Sequence, residues 1–252
     1  MLEAPFLQSV ICPIFRYVDS DAGAHVEKLH GTGFFVGNEG VFLTAKHVLE
    51  EAFEDARGEG GKVGVFPIQS VNDANVSLSI EIEAHEFAPH PFDVAVAKTK
   101  YPVASFLKLS TRVIDVWLDV ATTGYAADLA VKDEHRYEAQ QRALKGYIQR
   151  LIPRGRIKIS SYPDCFETSF PITQGLSGAP LFVNTRECGE VIGICVGSLR
   201  SSIVDFSYNE IVDGARTLSE KTSRIHEVGI ANDIRSLVNW TPKIIGRPLG
   251  SI

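Results

Sequence analysis

The sequence predicts an all-β fold, a sandwich or a barrel, and three observations predict it. Apolar residues recur in short runs that alternate with polar ones or form compact blocks. Glycine and proline clusters separate these runs at short intervals. Strand signals do not alternate with long helical stretches, which argues against a parallel α/β sheet.

Taken in order, the N-terminal stretch MLEAPFLQSVICPIFRYV lacks a basic region before its apolar part and is interrupted by Pro5 and Pro13. It reads as an early strand of the mature fold and not as a signal peptide. Further strands are expected over Val63–Ile68, Ser77–Phe87, Asp93–Lys98, Val116–Thr122, Ile157–Ser160 and Glu190–Ser198. Helical signals are few. Val48–Arg57 predicts a short helix running into the flexible Gly58–Gly61 segment. Near the end, Asn232 is placed to cap a helix whose Ile234, Leu237 and Val238 recur at helical spacing. An internal seam is expected in Tyr101–Ile114, and the polar, charge-rich Leu199–Glu227 stretch reads as a long surface loop.

A chain of 252 residues with 44% hydrophobic content can bury a core without covalent staples. Its 25 basic and 31 acidic residues give a formal net charge of −6, which argues against a nucleic-acid surface. No run approaches the roughly 20 apolar residues of a membrane helix. The four cysteines, Cys12, Cys165, Cys188 and Cys195, are sparse for a disulfide scaffold. Free thiols and a reducing, cytoplasmic setting are expected.

Three segments carry candidate chemistry. Gly31–Val48 (GTGFFVGNEGVFLTAKHV) reads as two apolar strands joined by a Gly37–Gly40 turn, delivering His47 at a rigid strand end. In HPFDVAVAK, Asp93 opens a buried-looking strand, where its carboxylate can orient an imidazole through the Nδ1 proton. In TQGLSGAPLFV, Ser177 sits between Gly175 and Gly178. A serine hydroxyl is a weak nucleophile until a base takes its proton. The resulting oxyanion needs backbone N–H donors, each worth about 2.7–4 kcal/mol. Gly175 lets the chain turn sharply, and the N–H groups of Gly175 and Ser177 are the candidate donors. Singly, each residue has a plainer reading as a turn former or an ordinary polar group. Jointly, they occur in the order His, Asp, Ser, which differs from the order in subtilisin and in α/β-hydrolases.

The chain resembles the trypsin-like (chymotrypsin-fold) serine peptidases, particularly the disulfide-poor bacterial branch that includes the HtrA proteases. GTGFFVGNEGVFLTAKHV resembles the family's Gly-Ser-Gly-Phe…Leu-Thr-Ala-Ala-His stretch, PFDVAVAK its Asp-Ile-Ala-Leu strand, and PITQGLSGAPLFV its Gly-Asp/Asn-Ser-Gly-Gly-Pro-Leu loop. Gly189–Ser198 resembles the strand lining the cleft, and Val228–Val238 the closing strand and terminal helix. The resemblance implies two six-stranded antiparallel Greek-key barrels, over residues 1–108 and 109–252, with a short C-terminal helix. It implies a serine endopeptidase acting through an acyl-enzyme, with His47, Asp93 and Ser177 as the triad and no cofactor or metal. Ala179 stands where the family has a second glycine, Val48 where it has a cysteine, and Leu176 where zymogen-activated trypsins have an aspartate.

By the same resemblance, Pro171 marks the base of the S1 pocket, followed by Ile172 and Thr173. Val196, Gly197 and Ser198 match the strand that pairs with substrate backbone, and Gly229 a pocket wall. An apolar pocket implies small or medium apolar P1 side chains. The implied partner is a protein or peptide substrate. A regulatory protein that relieves latency is a further expectation, motivated by Leu176 and the long Leu199–Glu227 stretch. A non-cleaving peptide-binding module on the same fold is the alternative. His85 and His90 read as surface-loop histidines, and Glu50, Glu51, Glu54 and Asp55 as a solvated helix face.

Overall fold

A computed structural model describes residues 4–21, 23–71, 74–77, 79–132, 137–157, 162–184, 189–212 and 216–252. The first half holds β1 (Ile11–Ser20), β2 (Gly23–Phe35), β3 (Val41–Thr44), β4 (Lys62–Val65), β5 (Ile68–Val71), β6 (Ala74–Ser77), β7 (Ile80–Phe87) and β8 (Ala95–Thr99). The second holds β9 (Lys108–Leu109), β10 (Asp119–Tyr125), β11 (Val131–Lys132), β12 (Tyr137–Glu138), β13 (Gln141–Ile152), β14 (Cys165–Thr168), β15 (Pro180–Asn184), β16 (Gly189–Val212) and β17 (Arg216–Asp233).

Strands β1-β2-β3-β8-β7-β4 close into a six-stranded antiparallel barrel. In the other half, β15-β10-β13-β14-β17-β16 form a second ring, closed by the β15–β16 pairing, with β9 added in parallel to β16. Closure leaves no free edges within each ring. The fold is therefore the expected pair of barrels. Phe34, Phe42, Leu43 and Val96 fill the first, and Ile148, Phe166, Leu181 and Ile192 the second, all buried. The short β5–β6 and β11–β12 hairpins lie outside both rings.

Helix α1 (Ala4–Val10) precedes β1, so the N-terminal stretch is helix then strand, not strand throughout. Helix α2 (Lys46–Glu59) bridges β3 and β4 and buries Val48, Leu49 and Ala52, a turn longer than the spacing of apolar residues suggests. The terminal helix is a five-residue 3₁₀ segment, Arg235–Asn239. Asp233 Oδ1, not Asn232, accepts the Arg235 N–H at its start, because Asn232 is wholly buried and used elsewhere. The Ile157–Ser160 strand lies outside the described residues from position 158 onward, as does Cys188.

Leu199–Glu227 is not a loop. β16 and β17 continue out of the barrel as a two-stranded ribbon, paired from Leu199↔Val228 to Val212↔Arg216. Over residues 200–209 and 219–226 the side chains are exposed, so this part of the ribbon has no core-facing side. Cross-strand pairs hold it instead: Arg200 with Glu227 at 3.2 Å and Arg224 with Asp205 at 3.3 Å. Phe206 stacks on Tyr208 at 6.5 Å between ring centroids.

Candidate active site

His47 stands in the first turn of α2, one residue after Lys46 opens the helix. A helix start leaves N–H groups without partners, and Ala45 at the cap position has no side chain to supply one. Asp93 does so from the loop before β8. Its Oδ1 accepts the His47 backbone N–H at 3.0 Å, while Oδ2 lies 2.6 Å from His47 Nδ1. One carboxylate thus caps the helix and fixes the imidazole, and the positive end of the helix dipole favours its charge.

Asp93 is itself held from the second barrel. Its backbone N–H donates to Asn232 Oδ1 at 2.9 Å, and Asn232 Nδ2 reaches Cys165 Sγ at 3.6 Å. Burial works against a charged His47 ring, but the Asp93 hydrogen bond and charge, with Glu51 and Glu50 adding to them, outweigh it. The His47 pKa is raised above the ordinary histidine value.

Ser177 lies in a tight loop fastened to the first barrel. Thr32, fully buried in β2, donates its backbone N–H to Ser177 O at 2.9 Å and its hydroxyl to Gly175 O at 2.8 Å. The same hydroxyl accepts the Tyr125 N–H at 2.9 Å, and Thr32 O accepts the Thr44 hydroxyl at 2.7 Å. Within the loop, Leu176 N–H donates to Thr173 O at 3.0 Å and Gly178 N–H to Cys195 O at 2.8 Å. Gly175 (φ +90°) and Gly178 (φ +87°) adopt left-handed conformations that only glycine takes without strain. A Cβ at Gly178 would stand 2.1 Å from both Thr32 O and Thr44 Oγ1.

Among the described residues, the N–H groups of Gly175 and Ser177 donate to no acceptor, although the loop around them is tightly bonded. His47 and Asp93 are hydrogen-bonded partners. The Ser177 hydroxyl makes no hydrogen bond to His47 among the described residues, though Thr32, Thr44 and Ala45 tie its loop to the turn leading into His47.

Beside His47, a cavity of about 480 Å³ opens between the two barrels. Lys46, His47, Glu50 and His90–Asp93 wall it on one side, Tyr162 and Val196 on the other. The residues assigned to specificity also meet. Ser198 Oγ accepts the Ile172 N–H at 2.7 Å and donates to Ile172 O at 3.1 Å, joining the Pro171–Thr173 segment to β16. Gly229 packs directly against this segment, since a Cβ there would stand 2.5 Å from Phe170 O and 2.9 Å from Ile172 Cγ1. Thr173 Oγ1 is buried without a hydrogen-bond partner among the described residues. Gly197 (φ +154°) breaks the β16–β17 register at this point.

Thr32 and Asn232 are the site residues that sequence reasoning missed. Thr32 sits in the quoted GTGFF segment but reads there as a β-former. Asn232 reads as a helix cap because its partner, Asp93, is 139 positions away. His85, expected in a loop, lies in β7 and stacks on Phe53 at 4.5 Å.

Closed antiparallel barrels with a cleft between them define the chymotrypsin-like class of folds. Residues 31–194 match the model of the trypsin-like peptidase domain, and the chain belongs to that family. Comparison with curated protein sequences gives no match. Among solved structures it is similar to the HtrA-type protease AlgW with decapeptide, at 16% identity and a TM-score of 0.57, covering 94% of this chain and 65% of that one. It is also similar to the Rv3671c protease from M. tuberculosis in its active form, at 18% identity and a TM-score of 0.56, covering 95% and 82%. Deg5 gives 18% identity and a TM-score of 0.54, covering 76% and 81%. The chain spans 62% to 65% of the two AlgW structures it matches. At these identities the likeness to solved structures carries the fold, a serine-protease one.

Proposed function

We propose that this chain is a serine endopeptidase in which Ser177 is the nucleophile, His47 the general base and Asp93 the group that orients it. The observation that carries the reading is the double grip of Asp93 on His47, through ring and backbone, beside a glycine loop with two uncommitted amides. His47 takes the Ser177 proton as Oγ attacks the scissile carbonyl. The N–H groups of Gly175 and Ser177 receive the developing oxyanion. His47 then gives the proton to the leaving amine, and a water molecule hydrolyses the acyl-enzyme by the same route in reverse. Asp93 stays ionised and stabilises the imidazolium. No step calls for a metal or an organic cofactor.

The substrate is a protein or peptide bound extended along Val196–Ser198, in keeping with the decapeptide of the HtrA-type AlgW structure. With Pro171, Ile172, Thr173 and Gly229 around the first pocket, the side chain before the scissile bond is small or medium and apolar. A reducing, cytoplasmic setting fits the buried free thiols of Cys12, Cys165 and Cys195. Labelling with a fluorophosphonate probe tests the reading: the wild type reacts at Ser177 and Ser177→Ala does not. A folded wild type that stays unlabelled, alone and in the presence of a peptide library, overturns it.

The free Ser177 hydroxyl favours a second reading, a latent form completed by a partner. Labelling that appears only when a peptide or second protein is added separates it from a constitutive enzyme.

A further inference from the structure

The imidazole of His30, at the end of the β2 segment before Gly31, is enclosed completely: its side chain is 0% exposed. Both ring nitrogens are buried without a hydrogen-bond partner among the described residues. Buried polar groups are rarely left unsatisfied, so an orphaned pair calls for an explanation. The nearest polar atoms are carboxylate oxygens on α2. Asp55 Oδ2 is 3.6 Å from Nε2 and Glu51 Oε1 is 3.9 Å from Nδ1. These gaps are too long for hydrogen bonds. One ion can meet only one ring nitrogen; the gap at Nε2 is within about 0.3 Å of the roughly 3.3–3.4 Å that separates two tetrahedral ligands each about 2.0–2.1 Å from one zinc ion.

We propose that His30, Glu51 and Asp55 form a binding site for a first-row divalent cation, Zn²⁺ by its ligand chemistry. One ring nitrogen and one oxygen from each carboxylate lie within 4.8 Å of one another. Glu51 and Asp55 are one helical turn apart, so both carboxylates project from the same face of α2 towards the ring. An imidazole with two carboxylates and a fourth position for water suits zinc, and it disfavours Mg²⁺ and Ca²⁺, which take oxygen ligands.

A cation already serves these carboxylates. Lys28 Nζ lies 2.5 Å from Asp55 Oδ2 and 3.2 Å from Glu51 Oε1. Its side chain is 45% exposed, on a flexible stem that can swing into solvent. With neutral His30, the group of Lys28, Glu51 and Asp55 carries one net negative charge, and a divalent ion in place of the ammonium cancels it. The ion would fasten β2 to α2. His30 is followed at once by the Gly31–Thr32 segment that holds the Ser177 loop, and α2 carries His47 at its start.

Chelator-competition titration of the whole chain with Zn²⁺ tests the site. One equivalent is expected to bind, with Mg²⁺ unable to compete. Asp55→Asn and Glu51→Gln, both at partly open positions, each weaken binding by roughly tenfold or more. Lys28→Gln tightens it severalfold, because the competing ammonium is gone. His47→Ala leaves it unchanged. Absence of stoichiometric binding overturns the proposal. So does binding that survives Asp55→Asn and Glu51→Gln, which would place the ion at the thiols or at His47. Weakened binding in Lys28→Gln also overturns it, since that would make Lys28 a support of the site and not its rival.

Discussion

The side-chain carbonyl of Asn232 accepts the backbone N–H of Asp93 at 2.9 Å, so a residue of the last barrel strand sets the position of the carboxylate that grips His47. The two residues come from different barrels, and this bond makes the alignment of His47 depend on how the halves are docked. Asn232 is therefore a positioning residue. Asn232→Ala leaves the Asp93 N–H and a small cavity unfilled, with an expected loss of about 1–3 kcal/mol in unfolding free energy. A purely structural role would stop there. A positioning role also moves the His47 titration midpoint, read by NMR of the ring protons, away from its wild-type value.

The raised His47 pKa gives the pH dependence a definite direction. A general base works only when unprotonated, so the acid limb of kcat/KM is expected to fall above the ordinary histidine value of about 6.5. Asp93→Asn removes the charge that outweighs burial; the midpoint drops and kcat falls by roughly 10⁴-fold. The same shift links to stability. Because the folded-state pKa is the higher one, the contribution is fully present below the unfolded value and is lost as pH rises through the folded one. Thermal midpoints measured across this window check the sign.

Gly178→Ala places a Cβ 2.1 Å from Thr32 O and from Thr44 Oγ1, in a backbone conformation (φ +87°) that strains any L-residue. Both neighbours are buried, Thr44 is bonded to Thr32, and Thr32 holds the Ser177 loop, so neither can yield. A loss of several kcal/mol is expected, on the order of the large values reserved for backbone clashes. Fluorophosphonate reactivity should vanish with it. Gly155→Ala is the control, since it too has a positive φ (+73°) but meets nothing within 4 Å, and it should cost far less.

Burial raises the thiol pKa of Cys165 and Cys195 to about 12, and that of Cys12 higher still. A thiol with so little thiolate is a poor nucleophile. Native protein treated with iodoacetamide near neutral pH is expected to stay unmodified at all three positions by peptide mapping, and denatured protein to react at all three within minutes. Rapid native modification at any one of them contradicts the packing described here.

What the sequence determined by itself was local. Alternation marked most barrel strands, Gly175 marked a sharp turn beside Ser177, and Val48–Arg57 marked a helix, because each signal is written within a few neighbouring residues. The candidates His47, Asp93 and Ser177 were legible for the same reason: each sits in its own recognisable segment. The tertiary structure decided everything that joins distant segments. Asn232 reads as a helix cap until the second barrel carries it to Asp93, and Thr32 reads as a strand residue until its hydroxyl meets Gly175 and Tyr125. Leu199–Glu227 reads as a loop because polar and charged residues run through it, and its one short alternating run, Val204, Phe206 and Tyr208, is too brief to mark two long paired strands. Burial periodicity records only which side of a strand faces a core. Hydrogen bonds between residues more than 90 positions apart, such as those of Thr32 and Asn232, leave no such record.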